Sequence, residues 1–188
     1  MRLPAPRIAP LSDAELGPEA RDAMAAIPER ARGLNIFRTM AGNPAALKAF
    51  LAWGNYILSG RNSLPARERE LAILRVGYLC GAGYEWTQHV PIGIDAGLTG
   101  DEVERIKAGP TAPDWSPLDR AILTASDELV RDHFITDATW ANLADLGDTG
   151  RADLVFTVGQ YTQVSMLLNS LGVQLDPGQT LDPALDRR

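Results

Sequence analysis

The run LAILRVGYLC, at residues 71–80, is the feature that most restricts the fold, because Arg75 is its only charged residue. Good helix formers precede it in the segment REREL, and Pro65 stands where a first helical turn would begin. A helix that is apolar on nearly all of its sides has to be covered by other elements. The run therefore predicts a central, buried helix that ends at Gly81 and Gly83.

The rest of the chain carries helical rather than strand signals. No segment alternates with a period of two, and no Asn-Gly hairpin signal occurs. Capping boxes formed by Ser12 with Glu15 and by Thr99 with Glu102 predict two helix starts, the first near Asp13. We expect an all-α fold of about seven or eight helices, which include segments near 44–59, 65–80, 84–97, 99–107, 117–131, 136–145 and 149–171.

The chain divides into three parts by composition. Prolines at positions 4, 6 and 10 predict an extended arm, so residues 1–43 are assigned to an arm followed by short helices. Residues 44–175 are assigned to one helical domain. The sequence DPGQTLDPALDRR, at residues 176–188, is predicted to be an unpacked tail.

The charge balance argues against nucleic acid and membrane surfaces as partners. The 18 basic residues are scattered among 24 acidic ones and the net charge is −6, whereas both kinds of partner attract clustered Lys and Arg. No apolar segment approaches the ~18 residues that span a bilayer, and the N-terminus lacks the apolar stretch of a signal peptide. Cys80 is the only cysteine, which fits a reducing compartment. We expect a soluble, cytoplasmic protein.

A candidate for chemistry lies in the segment YEWTQHV, at residues 84–90. Glu85 and His89 are four residues apart, so they share one face of a helix, and Glu70 lies one helix earlier. If the two helices pack as a hairpin, the three groups meet in a partly dry pocket. A carboxylate beside an imidazole favours the charged ring, and burial favours a neutral carboxyl group. Such a set can hold and deliver protons near neutral pH.

Other interpretations of these residues stay open. A Glu/His pair at this spacing is common on helix surfaces, and Glu70 within RERE is typical of a solvated face. Glu and His four apart can also ligate a cation, although no second His or Cys cluster lies nearby. Arg75, as a lone charge on a buried helix, has to pair with a carboxylate or bind an anionic substrate. Trp86 and Tyr161 are further candidates to line a substrate pocket.

The stretch LPARERELAILRVGYLCGAGYEWTQHVPIGIDAGLTGDEVERI resembles the carboxymuconolactone decarboxylase family, which includes the alkylhydroperoxidase D-like proteins. The lead-in LNIFRTMAGNPAALKAFLAWGNYILSG and the late segment GQYTQVSMLLNSLG are similar to one subgroup of that family. The resemblance implies an alkylhydroperoxidase D-like helical bundle built around a central helix hairpin. It also implies assembly as trimers or hexamers.

The family's peroxidase branch carries a Glu, then Cys-x-x-Cys, then three residues and a His. By position, the Glu and the His fall on Glu70 and His89, whereas the two cysteine positions fall on Ala82 and Glu85. Thiol peroxidase chemistry needs a nucleophilic thiolate and a resolving thiol. The resemblance therefore points away from that branch, and we interpret YEWTQH as the motif of a cysteine-free subgroup of the family. The family's decarboxylase branch uses acid–base chemistry without cysteine, which suits a His89–carboxylate pair.

The leading hypothesis is a small-molecule enzyme of the lyase or isomerase type, without a cofactor or a metal, acting on an organic substrate such as a carboxylated compound or a lactone. His89 would be the main acid and base, Glu85 would orient it, and Glu70 would be a second proton carrier. One alternative is a non-catalytic binding or scaffold protein that retains the fold. A third, less favoured, is residual peroxidase-type or metal-dependent activity.

Overall fold

The computed structural model describes residues 1–186, and within that range the chain is built from helices without strands. The fold is therefore all-α, as the sequence predicts. None of the described helices is long and apolar enough to span a membrane. In chain order the α-helices are α1 Pro18–Ala25, α2 Asn35–Met40, α3 Pro44–Ile57, α4 Ala66–Leu79, α5 Gly83–Asp95, α6 Gly100–Ala108, α7 Pro117–Asp132, α8 Asp137–Asn142 and α9 Gly147–Leu171. Short 3-10 segments lie at Glu29–Ala31, Ala144–Leu146 and Pro183–Leu185.

Helix α4 is the centre of the fold, and the predicted apolar run occupies it. Its residues 70–77 are all buried, and the helix packs against α5, α7 and α9. Ile73 and Leu74 on α4 have no exposed surface and belong to the main apolar core. Between α4 and α5 the chain reverses at Gly81, whose φ of 61° is in the left-handed region that favours glycine. The two helices therefore form the expected hairpin.

Side-chain caps fix several helix starts, but one predicted start is wrong. At α6, the Thr99 side chain accepts from the backbone N–H of Glu102, and the Glu102 side chain accepts from the N–H of Thr99. At Ser12 only half of the box forms: Glu15 Oε2 accepts from the Ser12 backbone N–H and hydroxyl, while the Glu15 N–H donates to the Ser12 carbonyl, which closes a turn, and α1 begins only at Pro18. A capping box satisfies backbone donors equally well in an isolated turn, so the pattern alone does not set the helix start.

A second apolar cluster joins the N-terminal segment to the helical body. Met24 and Ile27 pack with Leu168 of α9 in this cluster. The first residues are non-helical, as predicted, and the backbone N–H of Arg7 donates to the carbonyl of Leu171 at 2.8 Å. The N-terminal segment thus lies against the end of α9 and against α3 and α5.

The described part of the tail, up to residue 186, is packed, which corrects the prediction of an unpacked segment. Asp176 accepts a hydrogen bond from the Tyr84 hydroxyl at 2.7 Å, and Asp182 pairs with Lys107 at 2.5 Å. Leu185 has no exposed surface. Each anchor is a single residue in a proline-rich polar stretch, so the composition gives no sign of it. Positions 187 and 188 lie outside the described residues.

Candidate active site

The hairpin brings Glu70 of α4 and His89 of α5 into direct contact. Glu70 Oε2 lies 2.7 Å from His89 Nδ1, and the two residues are 0% and 8% exposed. An ionised carboxylate only accepts hydrogen bonds, so this contact places the ring proton on Nδ1 and leaves Nε2 for another partner. The prediction that His89 lies within hydrogen-bond reach of a carboxylate is confirmed for Glu70.

Tyr161 of α9 packs edge-on against the imidazole. The two ring centroids are 4.9 Å apart and the ring planes meet at 89°. Burial, together with the nearby Glu70 and Glu85 carboxyl groups, raises the pKa of the Tyr161 hydroxyl well above its ordinary value. Tyr161 therefore stays protonated near neutral pH, and its ring contacts one side of the His89 imidazole.

Glu85 does not orient His89, which corrects the predicted division of roles. Its Oε2 accepts a hydrogen bond from the Ser165 hydroxyl of α9 at 2.9 Å, while Glu70 is the carboxylate that holds the imidazole. The i,i+4 spacing puts Glu85 on the same face as His89, but the neighbouring helices decide which carboxylate reaches the ring. The one signal for Ser165 in the sequence is that it is a hydroxyl on a mainly apolar helix face.

The Glu85 carboxyl group occupies a tight, dry position. It is 2% exposed, and its Oε1 has no hydrogen-bond partner among the described residues. A Cβ added at Gly77 of α4 would lie 3.0 Å from Oε1, so glycine leaves the space that this oxygen fills. Burial raises the pKa of Glu85 well above its ordinary value, and the Glu70 charge adds to that shift, while the Ser165 hydrogen bond opposes it.

A cavity of about 510 Å³ adjoins these groups. Its walls come from residues within 27–37, 50–58, 84–92 and 160–168, and they include Glu85, His89 and Tyr161. Most of the other lining side chains are apolar, and the volume is in the range that holds small organic ligands. The N-terminal segment supplies part of one wall, a contribution that the sequence did not reveal.

Gln160 is a polar lining residue that sequence reasoning missed. It is 1% exposed, and its Oε1 has no hydrogen-bond partner within residues 1–186. A buried amide without a partner is costly unless a ligand or water satisfies it. The available signal was its position next to Tyr161 on an otherwise apolar helix face.

Arg75 and Trp86 are not part of this cavity, which corrects two predicted substrate contacts. Arg75 forms a two-pronged ion pair with Asp127 of α7, at 2.5 and 2.8 Å, and also donates to the carbonyl of Ile106. It is satisfied inside the protein and borders a separate cavity of about 320 Å³. Trp86 is 2% exposed and packs against Tyr78 in the main core.

The metal interpretation gains no support from the side-chain arrangement. In the part of the chain that the structure describes, no group of three or more His, Cys, Asp and Glu side chains is placed to hold a metal ion. Glu85 is turned to Ser165, so the three donors that the sequence suggested do not converge.

Comparison with known proteins confirms the resemblance noted in the sequence. The model of the Carboxymuconolactone decarboxylase family matches residues 44–128, which include α3 to α6 and most of α7. All three groups of the site that lie on α4 and α5 are therefore inside the matched segment. No curated protein matches the sequence closely enough to count as a relative.

Solved structures share the fold at low sequence identity. The alkylhydroperoxidase AhpD core of an uncharacterized peroxidase-related protein from Ralstonia eutropha JMP134 is similar with a TM-score of 0.74 and 19% identity, over 90% of this chain and 93% of that one. A peroxidase-related protein from Silicibacter sp. TM1040 also gives 0.74 and 19%, over 93% and 91%. The debrominase Bmp8, in complex with 2,3,4-tribromopyrrole, gives 0.68 and 16%, over 90% and 91%. At these identities the likeness shows the fold alone.

Proposed function

From the premise that residues 44–128 form a carboxymuconolactone decarboxylase family domain, we propose that this chain is a small-molecule enzyme that transfers protons to and from carbon. The reaction is of the lyase or isomerase type. One observation carries the proposal: His89, which lines a cavity of about 510 Å³, is held at 2.7 Å by the buried Glu70 carboxylate behind it.

His89 Nε2 is the atom proposed to exchange the proton with the substrate. In this scheme Nε2 removes a proton from a carbon next to a carbonyl group, and the C–H electron pair moves into an enolate. Glu70 holds the ring through Nδ1 and stabilises the positive charge that the ring gains. The imidazolium then returns its proton to the same or another carbon. Glu85, whose burial favours the neutral acid, is proposed as a second group that donates to the developing oxyanion.

The cavity beside His89 supports an enzyme over a scaffold protein. A chain that keeps the fold only for packing would be expected to fill the space beside His89 with side chains. Instead the space is lined by several buried polar side chains, Glu85, His89 and Gln160, among mainly apolar ones. Buried polar side chains along a cavity are better explained by a ligand than by packing alone.

Peroxidase chemistry by paired thiols is not proposed. Ala82 and Glu85 stand at the two motif positions, and the sequence contains no thiol besides Cys80. We expect no turnover of an alkyl hydroperoxide with a dithiol reductant, because no resolving thiol is available. Robust turnover that the Cys80→Ser substitution abolishes would show that a thiol mechanism operates after all.

We also propose that the chain forms a trimer or a hexamer and acts in the cytoplasm. Large apolar side chains stay exposed on several helices of the single chain, among them Leu58, Ile92, Phe156 and Met166. Two of these, Leu58 and Ile92, also line the cavity, so a neighbouring subunit on this face would cover its wall. Light scattering tests the assembly, and a mass near 20.3 kDa would refute it.

Proton transfer can be tested without knowing the natural substrate. A panel of lactones, enones and β-ketoesters is incubated with the protein in D₂O, and ¹H NMR follows enzyme-dependent exchange or isomerisation. We expect His89→Gln to lower any observed rate by about 10²-fold or more, because the general acid and base is lost. His133→Gln is the matched control, since His133 is the only other histidine and lies exposed after α7. Equal rates for the wild type and His89→Gln would refute the proposal.

A further inference from the structure

The charged residues around the cavity restrict which ligands can bind in it. Resting on the proposed function, we propose that the ligand is an uncharged, largely apolar molecule with a hydrogen-bonding group such as a hydroxyl, ketone, lactone or amide, and that it is not a carboxylate. This departs from the carboxylated substrate that the sequence leaves open. Two features of the cavity decide between a charged and an uncharged ligand: the cations near it and the neutral groups that line it.

Free positive charge is scarce at the cavity. Among its described lining residues, Arg30 is the only arginine or lysine, and its side chain is exposed to solvent. Arg75, the cation that the sequence offers for an anionic substrate, is held by Asp127 and borders the other cavity. Arg69 lies close enough for its charge to act on Tyr161, and its Nε is buried without a hydrogen-bond partner in residues 1–186, but Arg69 is not a lining residue. A carboxylate that enters this cavity would therefore leave water without a cation on the buried walls to replace its hydration.

His89 does not supply the missing charge. When its ring is protonated, the charge is already balanced by Glu70, which lies 2.7 Å away and has no exposed surface. Glu85 is the one carboxyl group that lines this cavity among the described residues, and Glu70 lies behind His89. A buried anion beside these two carboxyl groups meets either repulsion or, at best, neutral dipoles. An uncharged molecule has no such cost.

Uncharged polar side chains of the lining can form hydrogen bonds with an uncharged ligand. Gln160 lines the cavity as a buried amide whose oxygen has no partner in residues 1–186, and Asn55 adds a second, exposed amide. Gln88 also lines the cavity, but its amide nitrogen already donates to Asp176. Between these groups the walls are mainly aliphatic and aromatic. This combination fits a ring or chain of apolar carbon with one or two uncharged polar groups.

The inference also restricts the reaction. An uncharged ligand without a carboxylate has no carbon dioxide to lose, so decarboxylation is excluded for it. Two reactions remain. One moves a proton from one carbon to another. The other is a β-elimination, in which His89 takes a C–H proton and the C–H electrons form a double bond as the bond to an oxygen leaving group breaks. The departing alkoxide or carboxylate oxygen then takes a proton from the site or from water.

A matched pair of probes tests the charge preference directly. The amide 2-naphthamide and the anion 2-naphthoate share one ring system, and isothermal titration calorimetry at pH 7.5 gives the affinity of each for the wild-type protein. We expect the naphthoate to bind at least about 30-fold more weakly, because its negative charge is buried without a cation to balance it. Equal or tighter binding of the naphthoate would overturn the inference, and so would failure of both probes to bind.

Three variants locate the effect in this cavity. Asn55→Lys adds a cation at an exposed lining position and should strengthen naphthoate binding relative to naphthamide binding. Gln160→Leu should weaken naphthamide binding by about tenfold, because a hydrogen bond to a buried amide is lost. Gln163→Leu, one turn along α9 and exposed, is the matched control and should have no effect. If neither of the first two variants changes binding, the probes bind elsewhere and the inference fails.

The inference and the proposed function can fail separately. Preferential binding of the naphthamide, with no proton exchange on any carbon acid, would refute the enzyme and leave the ligand class standing. Turnover of a carboxylated substrate that depends on His89 would do the opposite.

Discussion

The Glu85→Gln substitution should make stability less dependent on pH, and the structure gives the sign. Burial raises the folded-state pKa of Glu85 well above the ordinary value of 4.5. Below pH 4.5 the carboxyl group is protonated in both the folded and the unfolded chain, so it adds no pH dependence. Above that value the unfolded chain loses the proton and the folded chain retains it. Each further pH unit then favours the unfolded chain, until the folded-state pKa is reached.

The size of this effect follows from linkage. One group contributes a slope of at most about 1.4 kcal/mol per pH unit between its two pKa values. The glutamine amide keeps an oxygen that accepts from Ser165 but does not titrate. The free energy of unfolding of Glu85→Gln minus that of the wild type should therefore rise by about 1 kcal/mol or more from pH 4 to pH 7.

Urea unfolding at several pH values and one fixed protein concentration measures this difference. Any constant offset from the new amide cancels, because only the change with pH is compared. Glu29→Gln, at an exposed position, is the matched control and should show a flat difference. A difference for Glu85→Gln that is flat, or that falls with pH, would show that Glu85 is solvated or paired with a cation, and the dry position described for it would be wrong.

Two further substitutions test the packing that positions the site. Asp127→Asn leaves the buried Arg75 guanidinium without its counter-charge, so it should lower the free energy of unfolding, measured in urea, by about 3–5 kcal/mol. A loss below about 1 kcal/mol would refute the buried pair. Gly77→Ala places a Cβ 3.0 Å from Glu85 Oε1 and should cost about 1–3 kcal/mol. Gly100→Ala, where nothing lies within 4 Å of the added Cβ, should be nearly neutral, and equal costs for the two glycines would contradict the close contact.

Local sequence patterns were sufficient to predict the central helix α4, the cap of α6 and the α4–α5 hairpin. The nearly uncharged run of α4 predicted the central helix, because a helix apolar on all sides has to be enclosed. The Thr99 cap was predictable because a cap is a short-range interaction. The contact between Glu70 and His89 was predicted for a similar reason, since two consecutive helices joined by a short turn pack side by side.

Features that depend on distant parts of the chain were not predictable in this way. Glu85 turns to Ser165, which is 80 residues away, and that choice is made by the packing of α5 on α9. Arg75 finds Asp127 rather than a ligand for the same reason. The N-terminal segment closes a wall of the cavity through contacts that no local pattern signals.

The proposed mechanism requires that Glu70 holds the Nδ1–H of His89, so that Nε2 is the ring nitrogen left to act on a ligand. Long-range ¹H–¹⁵N NMR correlation of the protein labelled at histidine reports which ring nitrogen carries the proton, and His133→Gln assigns the two histidines. We predict that neutral His89 is protonated on Nδ1 in the wild type and that Glu70→Gln changes this tautomer balance without affecting His133. A wild-type ring protonated on Nε2, or a spectrum of His89 unchanged by Glu70→Gln, would contradict the account.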